Sequence, residues 1–242
     1  MQGIGPRKKH QIPYIWQFCC FAIFTSLCFL QTYPSHTSAE PLITNSVVKL
    51  KVPIQRIEDG LRRHFTENCS AFITLGTEEH YLVLSSWHCI DGYQTLKQAP
   101  QLIVADRTFN ATIEESGQSM ADDWLLAKIS RHDMAKPIVP VHPTIKPVTR
   151  GEIVYGFGWG GGVSETGTTP KKLVCRVTEA GHPIALDCGF RKGDSGGLIA
   201  RINEDRYEAV GIISAGDSDS TTLAFPIADL PKQVWTRLLK DR

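Results

Sequence analysis

The stretch Gly193-Asp194-Ser195-Gly196-Gly197 decides which fold and chemistry we expect from this chain. A serine hydroxyl that attacks a carbonyl carbon needs backbone N–H groups aimed at the developing oxyanion, and the chain must approach the substrate closely. Glycine permits both, because it has no Cβ and tolerates unusual backbone dihedrals. We therefore interpret Ser195 as a nucleophile and expect the N–H groups of Gly193 and Ser195 to form an oxyanion hole. A polar glycine-rich turn without chemistry is the alternative interpretation.

A nucleophilic serine needs a general base, and His88 has the most suitable surroundings of the histidines. It follows an apolar run at residues 81–85 and directly precedes Cys89, which can pin the turn. Proton transfer is sensitive to distance, so a base in a fixed position is what the chemistry requires. A structural histidine beside a disulfide is the other interpretation.

The third member of such a site is a buried carboxylate that fixes the imidazole tautomer and stabilises the imidazolium. Asp122 and Asp123 both precede an apolar run at residues 124–129. A carboxylate at the head of a strand is half-buried already, although a turn residue or strand cap is its more common role. The residues alone leave the choice between the two aspartates open.

Composition and patterning predict an all-β fold. The chain of 242 residues is 42% hydrophobic and contains 20 Gly and 14 Pro, which favours short strands and many turns. Only residues 230–239 have apolar positions at helical spacing, and a proline-rich strap at 131–149 divides the strands into two sets. Apolar or alternating runs predict strands at 46–52, 81–85, 102–104, 109–113, 124–129, 152–157, 172–177, 198–200, 208–214 and 222–226.

Residues 1–39 have the pattern of a secretory signal peptide. A basic start at residues 7–9 precedes an uncharged apolar run at 14–30, and the small residues Thr37-Ser38-Ala39 follow. An uncleaved membrane anchor is the alternative, since the apolar run is at the short limit for spanning a bilayer. We therefore expect a secreted or periplasmic protein, or a membrane-anchored one if the leader is retained.

The cysteines support export. Three of the seven lie in the leader, at positions 19, 20 and 28, which leaves Cys69, Cys89, Cys175 and Cys188. An even set in an exported chain predicts disulfides, and four cysteines allow three pairings. A zinc site is not expected without a Cys-x-x-Cys pair, and no other metal or cofactor is expected. The net charge of +1 gives no reason to expect a nucleic-acid partner.

The segments around the three candidate residues together resemble the chymotrypsin-like (trypsin-like) serine peptidase family, and its compact bacterial members in particular. Residues 85–89, Ser-Ser-Trp-His-Cys, resemble the family's Thr-Ala-Ala-His-Cys, and residues 123–129 resemble its Asp-Ile-Ala-Leu-Leu-Lys-Leu. Residues 193–197 match the nucleophile motif unchanged. The resemblance implies two packed antiparallel six-stranded β-barrels, at 40–130 and 150–229, with a C-terminal helix at 230–242.

The resemblance also implies a function and roles for residues. The chain would be a secreted serine endopeptidase with His88, Asp123 and Ser195 as its triad, acting on polypeptides as a monomer without membrane contact after leader removal. The strand register of the motif favours Asp123 over Asp122. The implied disulfides are Cys69–Cys89 and Cys175–Cys188. The implied substrate-binding residues are Gly189 at the base of the primary pocket, Ser214, which would also support the aspartate, and the strand residues Ala215 and Gly216.

Several positions depart from the family pattern. Trp87 replaces an alanine and Leu198 a proline. No Ile-Val-Gly-Gly start follows the leader, whereas in animal digestive enzymes that new N-terminus pairs with the aspartate before the serine. Asp194 therefore needs another partner, and Arg191 and Lys192 are near in sequence.

Specificity is less defined by the sequence. Gly189 stands where a trypsin carries an aspartate, which argues against basic substrates and favours a small or apolar residue before the scissile bond. Asp217 and Asp219 could reach the pocket mouth, but a solvated loop is the simpler interpretation.

Two other classes of protein fit part of the pattern. A catalytically silent peptide-binding protein on the same fold would keep the architecture without turnover. An exported esterase of the α/β-hydrolase type would share Gly-x-Ser-x-Gly, but it needs a histidine after the serine. No histidine follows residue 195 in this chain, so the esterase is disfavoured.

Overall fold

The computed structural model describes residues 43–93, 98–134, 136–160, 168–217 and 219–239. The predicted leader at 1–39, with cysteines 19, 20 and 28, lies outside the described residues, as do residues 240–242 of the predicted C-terminal helix. Within the described ranges lie fourteen β-strands and one complete α-helix. None of the helical segments in these ranges has the length and apolar character needed to cross a membrane.

The N-terminal half is a seven-stranded antiparallel sheet in the order β5-β4-β1-β2-β3-β7-β6. Val48, Leu50 and Val52 alternate with more exposed residues along its first strand and are buried on one face, as expected for a period of two. The sheet curls around this apolar face. Its strands are β1 (Val47–Glu58), β2 (Leu61–Gly76), β3 (His80–Ser85), β4 (Gln101–Val104), β5 (Arg107–Asn110), β6 (Thr112–Ser116) and β7 (Leu125–Ser130).

The C-terminal half is a closed barrel. Six strands follow the order β12-β9-β10-β11-β14-β13, and the pairing of β12 with β13 closes the ring, while β8 adds to β13 in parallel. Helix α1 (Lys232–Leu239) follows the last strand. The strands are β8 (His142–Pro143), β9 (Ile153–Gly158), β10 (Lys171–Glu179), β11 (Ile184–Asp187), β12 (Leu198–Asn203), β13 (Arg206–Gly216) and β14 (Thr221–Pro226).

The architecture confirms the all-β prediction with a C-terminal helix and corrects the expectation of two closed six-stranded barrels. Among the described residues only the C-terminal half closes, and the N-terminal sheet keeps β5 and β6 as its two edges. Ala111, the residue between these strands, donates its N–H to the carbonyl of Pro100. This bond holds the bend between β5 and β6 beside β4. Strand β6 then pairs with β7 and not with β5.

A shared apolar core joins the two halves. Phe72 and Leu84 from the N-terminal sheet pack in one cluster with Phe157 and Leu198 from the barrel, and the buried face of helix α1 joins them through residues such as Val234. Helices and sheets bury one apolar face each, so this packing positions the edges of the two halves against each other. The residues discussed next lie where these edges meet.

The sequence missed strands β2, β8 and β11 and merged β5 with β6. The first eight residues of β2, from Leu61, are all exposed or half-buried, because β1 and β2 extend beyond the sheet as a two-stranded arm. With both faces near water, no alternation marks such a segment as a strand.

Candidate active site

His88 lies in a short 3-10 turn, Trp87–Ile90, that directly follows β3. The disulfide Cys69–Cys89 ties this turn to β2, and the sulfur of Cys89 lies inside the N-terminal core. The histidine side chain remains 25% exposed. The turn therefore combines a cross-linked backbone with an imidazole that solvent can reach.

Asp123 is the aspartate that the structure brings to His88, whereas Asp122 is exposed. The Asp123 side chain is 1% exposed. Its Oδ2 accepts the Nδ1–H of His88 at 2.8 Å, and its Oδ1 accepts the His88 backbone N–H at 2.9 Å. Because a carboxylate can only accept, the imidazole proton is on Nδ1 and Nε2 is left as a proton acceptor. This is the tautomer that a general base requires.

Ser214 donates a further hydrogen bond to Oδ2 of Asp123. It reaches the aspartate because the pairing of β13 with β14 shifts register between Ile213 and Ala215. Such a bulge redirects the side chain of the extra residue. With this third donor the buried carboxylate is well solvated by the protein, which offsets the cost of removing its charge from water.

Ser195 lies on a turn at residues 193–197, the serine turn, in which Gly193 and Gly196 have backbone angles that favour glycine. Gly193 has φ +94° and Gly196 has φ +81°, a region that residues with side chains rarely adopt. A Cβ on Gly196 would overlap both the Ser85 hydroxyl and the carbonyl oxygen of Ser70. Gly196 therefore allows the serine turn to press against strands β2 and β3, the strands next to the histidine turn.

The backbone N–H groups of Gly193 and Ser195 have no acceptor among the described residues. Within the described part of the chain, the N–H groups of Asp194, Gly196 and Gly197 are bonded to carbonyls, while those of Gly193 and Ser195 are not. Unpaired backbone N–H groups are unusual unless they face solvent or a ligand. The sequence predicts these two donors as an oxyanion hole, and the structure leaves them available for that role.

The Ser195 hydroxyl makes no hydrogen bond to the described residues, and neither does Nε2 of His88. The two turns are nevertheless in contact, because the Ser195 carbonyl oxygen lies 3.9 Å from Sγ of Cys89. In unliganded active sites the bond between nucleophile and base is often long and shortens when substrate binds.

Asp194 is fully buried, and its partner is Lys171 on strand β10. The ammonium nitrogen lies 2.5 Å from Oδ2. Arg191 contributes its backbone N–H to Oδ2 at 2.8 Å, and the N–H of Gly160 donates to Oδ1 at 2.6 Å. The sequence suggested Arg191 and Lys192 and missed Lys171, because 23 residues separate it from Asp194 and no pattern connects the two.

Ser70 is a second residue that the sequence missed. Its N–H donates to the carbonyl of Ser195 at 2.8 Å, and its hydroxyl donates to the carbonyl of Gly193 at 2.8 Å. The hydroxyl also accepts the N–H of Trp159 at 2.8 Å. Ser70 therefore fastens both sides of the serine turn to β2. A buried polar residue in the apolar run after Cys69 was its only signal in the sequence.

Gly189 lies in a segment that is tied to strand β14. It stands between Cys188, which is cross-linked to Cys175, and Phe190. The Thr222 hydroxyl accepts the N–H of Phe190 at 3.1 Å and donates to the carbonyl of Cys188 at 2.6 Å. The segment before the serine turn is thus held in place on both sides of Gly189.

Ala215 and Gly216 form the exposed end of strand β13. They pair with β14 on one side, whereas β12 pairs with β13 only as far as Ile212. Within the described residues, the other edge of Ala215 and Gly216 is therefore unpaired. An extended peptide can add to such an edge through main-chain hydrogen bonds.

Asp217 organises the loop that follows β13. Its Oδ1 accepts the N–H groups of Asp219, Ser220 and Thr221, and the Ser220 hydroxyl donates to Oδ2. The hydrogen bonds from Thr221 and Ser220 lower the pKa of this carboxyl far below its usual range. The carboxylate of Asp217 is therefore used within the solvated loop.

Cysteine chemistry removes one apparent metal site. Cys69, His88 and Cys89 bring their ligand atoms within 4.8 Å of one another, and no other such group of three occurs in the described ranges. Both cysteines are oxidised to a disulfide, so neither can supply the thiolate that a metal ion needs.

Comparisons with known proteins identify the fold. No family model matches the chain, and no curated protein matches it either. A thermostable serine protease, AL20, from an extremophilic microorganism shares the fold with a TM-score of 0.56 and 15% identity, covering 77% of this chain and 93% of its own. Rv3671c from M. tuberculosis H37Rv, in an inactive mutant form, gives a TM-score of 0.55 and 16% identity, covering 85% and 90%. The chain therefore has the trypsin-like fold found in these serine proteases.

Proposed function

We propose that the chain is a secreted serine endopeptidase that hydrolyses peptide bonds through an acyl-enzyme intermediate. The observation that carries the proposal is the pair of hydrogen bonds from His88 to the two carboxylate oxygens of the buried Asp123. They hold a base with a free Nε2 beside the turn that carries Ser195. The fold shared with serine proteases supports the same reaction class.

In the first half of the reaction, the Ser195 hydroxyl attacks the scissile carbonyl carbon while Nε2 of His88 accepts its proton. Asp123 stabilises the imidazolium that forms and does not itself take the proton. The negative charge on the carbonyl oxygen is met by the N–H groups of Gly193 and Ser195, which have no other acceptor among the described residues. Donors fixed before the reaction starts need no reorganisation in the transition state.

In the second half, His88 gives its proton to the leaving amine, and the C–N bond breaks. The acyl group remains on Ser195 as an ester. A water molecule then attacks this ester while His88 removes a proton from it, which releases the acid and restores the serine hydroxyl. No step in this sequence requires a metal ion or an organic cofactor.

The substrate that this site favours is an extended polypeptide. Its backbone would pair with the open edge at Ala215 and Gly216, and its side chain before the scissile bond would enter the pocket near Gly189. Gly189 carries no side chain, and the Asp217 carboxylate is bonded within its own loop. We therefore propose a small or apolar residue at that substrate position.

The proposal is tested with a peptide library in which the residue before the scissile bond is varied. The full chain should cleave peptides with small or apolar residues there, and Ser195→Ala should abolish cleavage. Wild-type protein that binds the peptides without cleaving them would favour the catalytically silent peptide-binding alternative and overturn the endopeptidase.

The compartment is part of the same proposal. Two disulfides are typical of extracellular or periplasmic proteins. We propose that the leader is removed after Ala39, leaving a monomer without membrane contact. Mass spectrometry of the exported protein should find an N-terminus at Glu40, and a chain that starts at Met1 would contradict this.

A further inference from the structure

A cavity of about 590 Å³ lies beside strands β1, β4 and β5, apart from the residues of the proposed triad. The proline-rich strap covers one side of it, so we call it the strap pocket. Its volume is within the range of small-molecule sites. The apolar part of its lining includes Val48, Val104, Phe109, Ile138, Val139 and Trp159.

The charged part of the lining is mainly positive. Lys49, Arg107 and Lys136 line the pocket together with one carboxylate, Asp106. Lys49 lies 4.5 Å from the ring centroid of Trp159, and the Arg107 guanidinium lies 5.4 Å from that of Phe109. The cations are thus placed beside the apolar wall, where a ligand with an alkyl chain and an anionic end would meet both.

Trp159 connects this pocket to the serine turn. Its indole N–H donates to the carbonyl of Val47 at 3.0 Å, and its backbone N–H donates to the Ser70 hydroxyl, which holds the Gly193 carbonyl. The next residue, Gly160, donates to the buried carboxylate of Asp194. The backbone of residues 159 and 160, next to the indole, therefore makes two of the hydrogen bonds that fix the serine turn.

We propose that the strap pocket binds a free amphipathic carboxylate, and that its occupancy changes the reactivity of Ser195 through Trp159. Burial of an alkyl chain against the apolar lining favours binding, and the exposed cations Arg107 and Lys136 favour an anionic head. The binding part stands on the pocket alone, whereas the regulatory part rests on the proposed function.

Binding is tested by calorimetry on the full chain carrying Ser195→Ala, with dodecanoate below its micelle concentration as the probe. We expect one site, and at least about tenfold weaker binding of dodecanol and dodecyltrimethylammonium, because neither has an anionic head. Equal affinity for the three probes, or no binding of dodecanoate, would overturn the proposal. A pocket filled by another part of the chain would give the second of these results.

Two exposed cations allow the site to be located. Lys136→Ala and Arg107→Ala should each weaken dodecanoate binding about three- to fivefold, as expected for partly exposed ion pairs, and should leave dodecanol binding unchanged. Arg206→Ala, an exposed cation at the first residue of β13, is the matched control and should have no effect. Equal effects of the three substitutions would show that the probe binds elsewhere.

The regulatory part is tested with the wild-type chain. Saturating dodecanoate should change the rate of Ser195 labelling by a fluorophosphonate probe at least about twofold, an energy difference of roughly 0.4 kcal/mol. The change should disappear in the double variant Arg107→Ala, Lys136→Ala. Binding without any change in labelling rate would overturn the regulatory part. Wild-type protein that is never labelled would overturn the proposed function, while the calorimetry would still decide the binding part.

Discussion

The ammonium group of Lys171 lies 2.5 Å from the carboxylate of Asp194, which is fully buried next to Ser195. An isolated carboxylate at this depth would be unfavourable, and a paired one is tolerated when its remaining lone pairs are also bonded. The partner comes from within the barrel, on strand β10. The serine turn is therefore held by a residue that is present before any cleavage of the chain.

Replacing Lys171 by methionine should disturb both stability and the site. Removing one member of a buried pair leaves an uncompensated charge, so we expect a loss of about 3–5 kcal/mol in the free energy of unfolding. Urea unfolding measures this loss, and kcat/KM for a peptide substrate should fall with it. Lys146→Met is the control, because Lys146 is an exposed lysine away from the serine turn. Equal losses in the two variants would contradict the assigned role of Lys171.

The two neighbouring aspartates provide a direct comparison. Asp123→Asn keeps the shape but places an amide opposite Nδ1 of His88, which favours the wrong tautomer, so kcat should fall by roughly 10⁴. Asp122→Asn, at an exposed position, should leave kcat within about twofold, as is usual for surface substitutions. The turnover of one good peptide substrate is the measurement. If Asp122→Asn were the more damaging change, the assignment of the aspartate would be wrong.

Alanine substitutions at Gly196 and Gly151 distinguish the effect of steric overlap from the effect of backbone strain. Both have positive φ, +81° and +86°, but a Cβ at Gly151 would meet nothing within 4 Å, whereas one at Gly196 would overlap Ser70 and Ser85. Gly151→Ala should cost about 1–2 kcal/mol of unfolding free energy from strain alone. Gly196→Ala should cost more and abolish activity. Thermal unfolding and labelling of the two variants would show this, and an active Gly196→Ala variant would contradict the described packing.

The motifs predicted the contact between His88 and Asp123 better than they predicted the fold around the pair. Ser195, His88 and Asp123 stand in short motifs in which each residue type has a chemical reason, and the structure places His88 against Asp123. The strands were predicted only where one face is buried. The arm at the start of β2 was missed, because its residues are near water on both faces.

Lys171 and Ser70 could not be predicted from local patterns. Each contacts the serine turn from a strand that is distant in sequence. These contacts form only when the barrel and the curled sheet are assembled. The open N-terminal sheet was also unpredictable. Whether this sheet closes into a barrel depends on whether the four-residue strand β5 pairs with a neighbour on one side or on both sides. Hydrophobic periodicity carries no information about this choice.

His182 joins the loop before Asp123 to the C-terminal half. Its Nδ1 lies 2.8 Å from Oδ2 of Asp229, and its Nε2 lies 2.6 Å from the carbonyl of Ala121. Both partners are acceptors, so both bonds form only when the imidazole is protonated. The bond to Ala121, supported by Asp229 and by the nearby Asp122, raises the pKa of His182 above its ordinary value of 6.5.

Because the folded-state pKa is raised, the stabilisation by His182 is fully present below the unfolded value and is lost as pH rises through the folded one. The stability difference between wild type and His182→Gln should therefore be larger at about pH 5.5 than at about pH 8.5. We expect less than about 1 kcal/mol, because the side chain is 37% exposed and solvent screens the pair. Urea unfolding at the two pH values measures it. A difference that is independent of pH would contradict the protonated bridge.

The central claim is that Ser195 is a nucleophile activated by His88, and its most direct measurement is covalent labelling by a fluorophosphonate probe followed by mass spectrometry of the labelled peptide. Ser130→Ala, a half-buried serine at the end of β7, serves as the control and should be labelled like the wild type. We predict a single label on Ser195 that disappears in Ser195→Ala and slows by at least about 10³-fold in His88→Ala. A label on another residue, or equal labelling of the Ser195→Ala variant, would contradict the account.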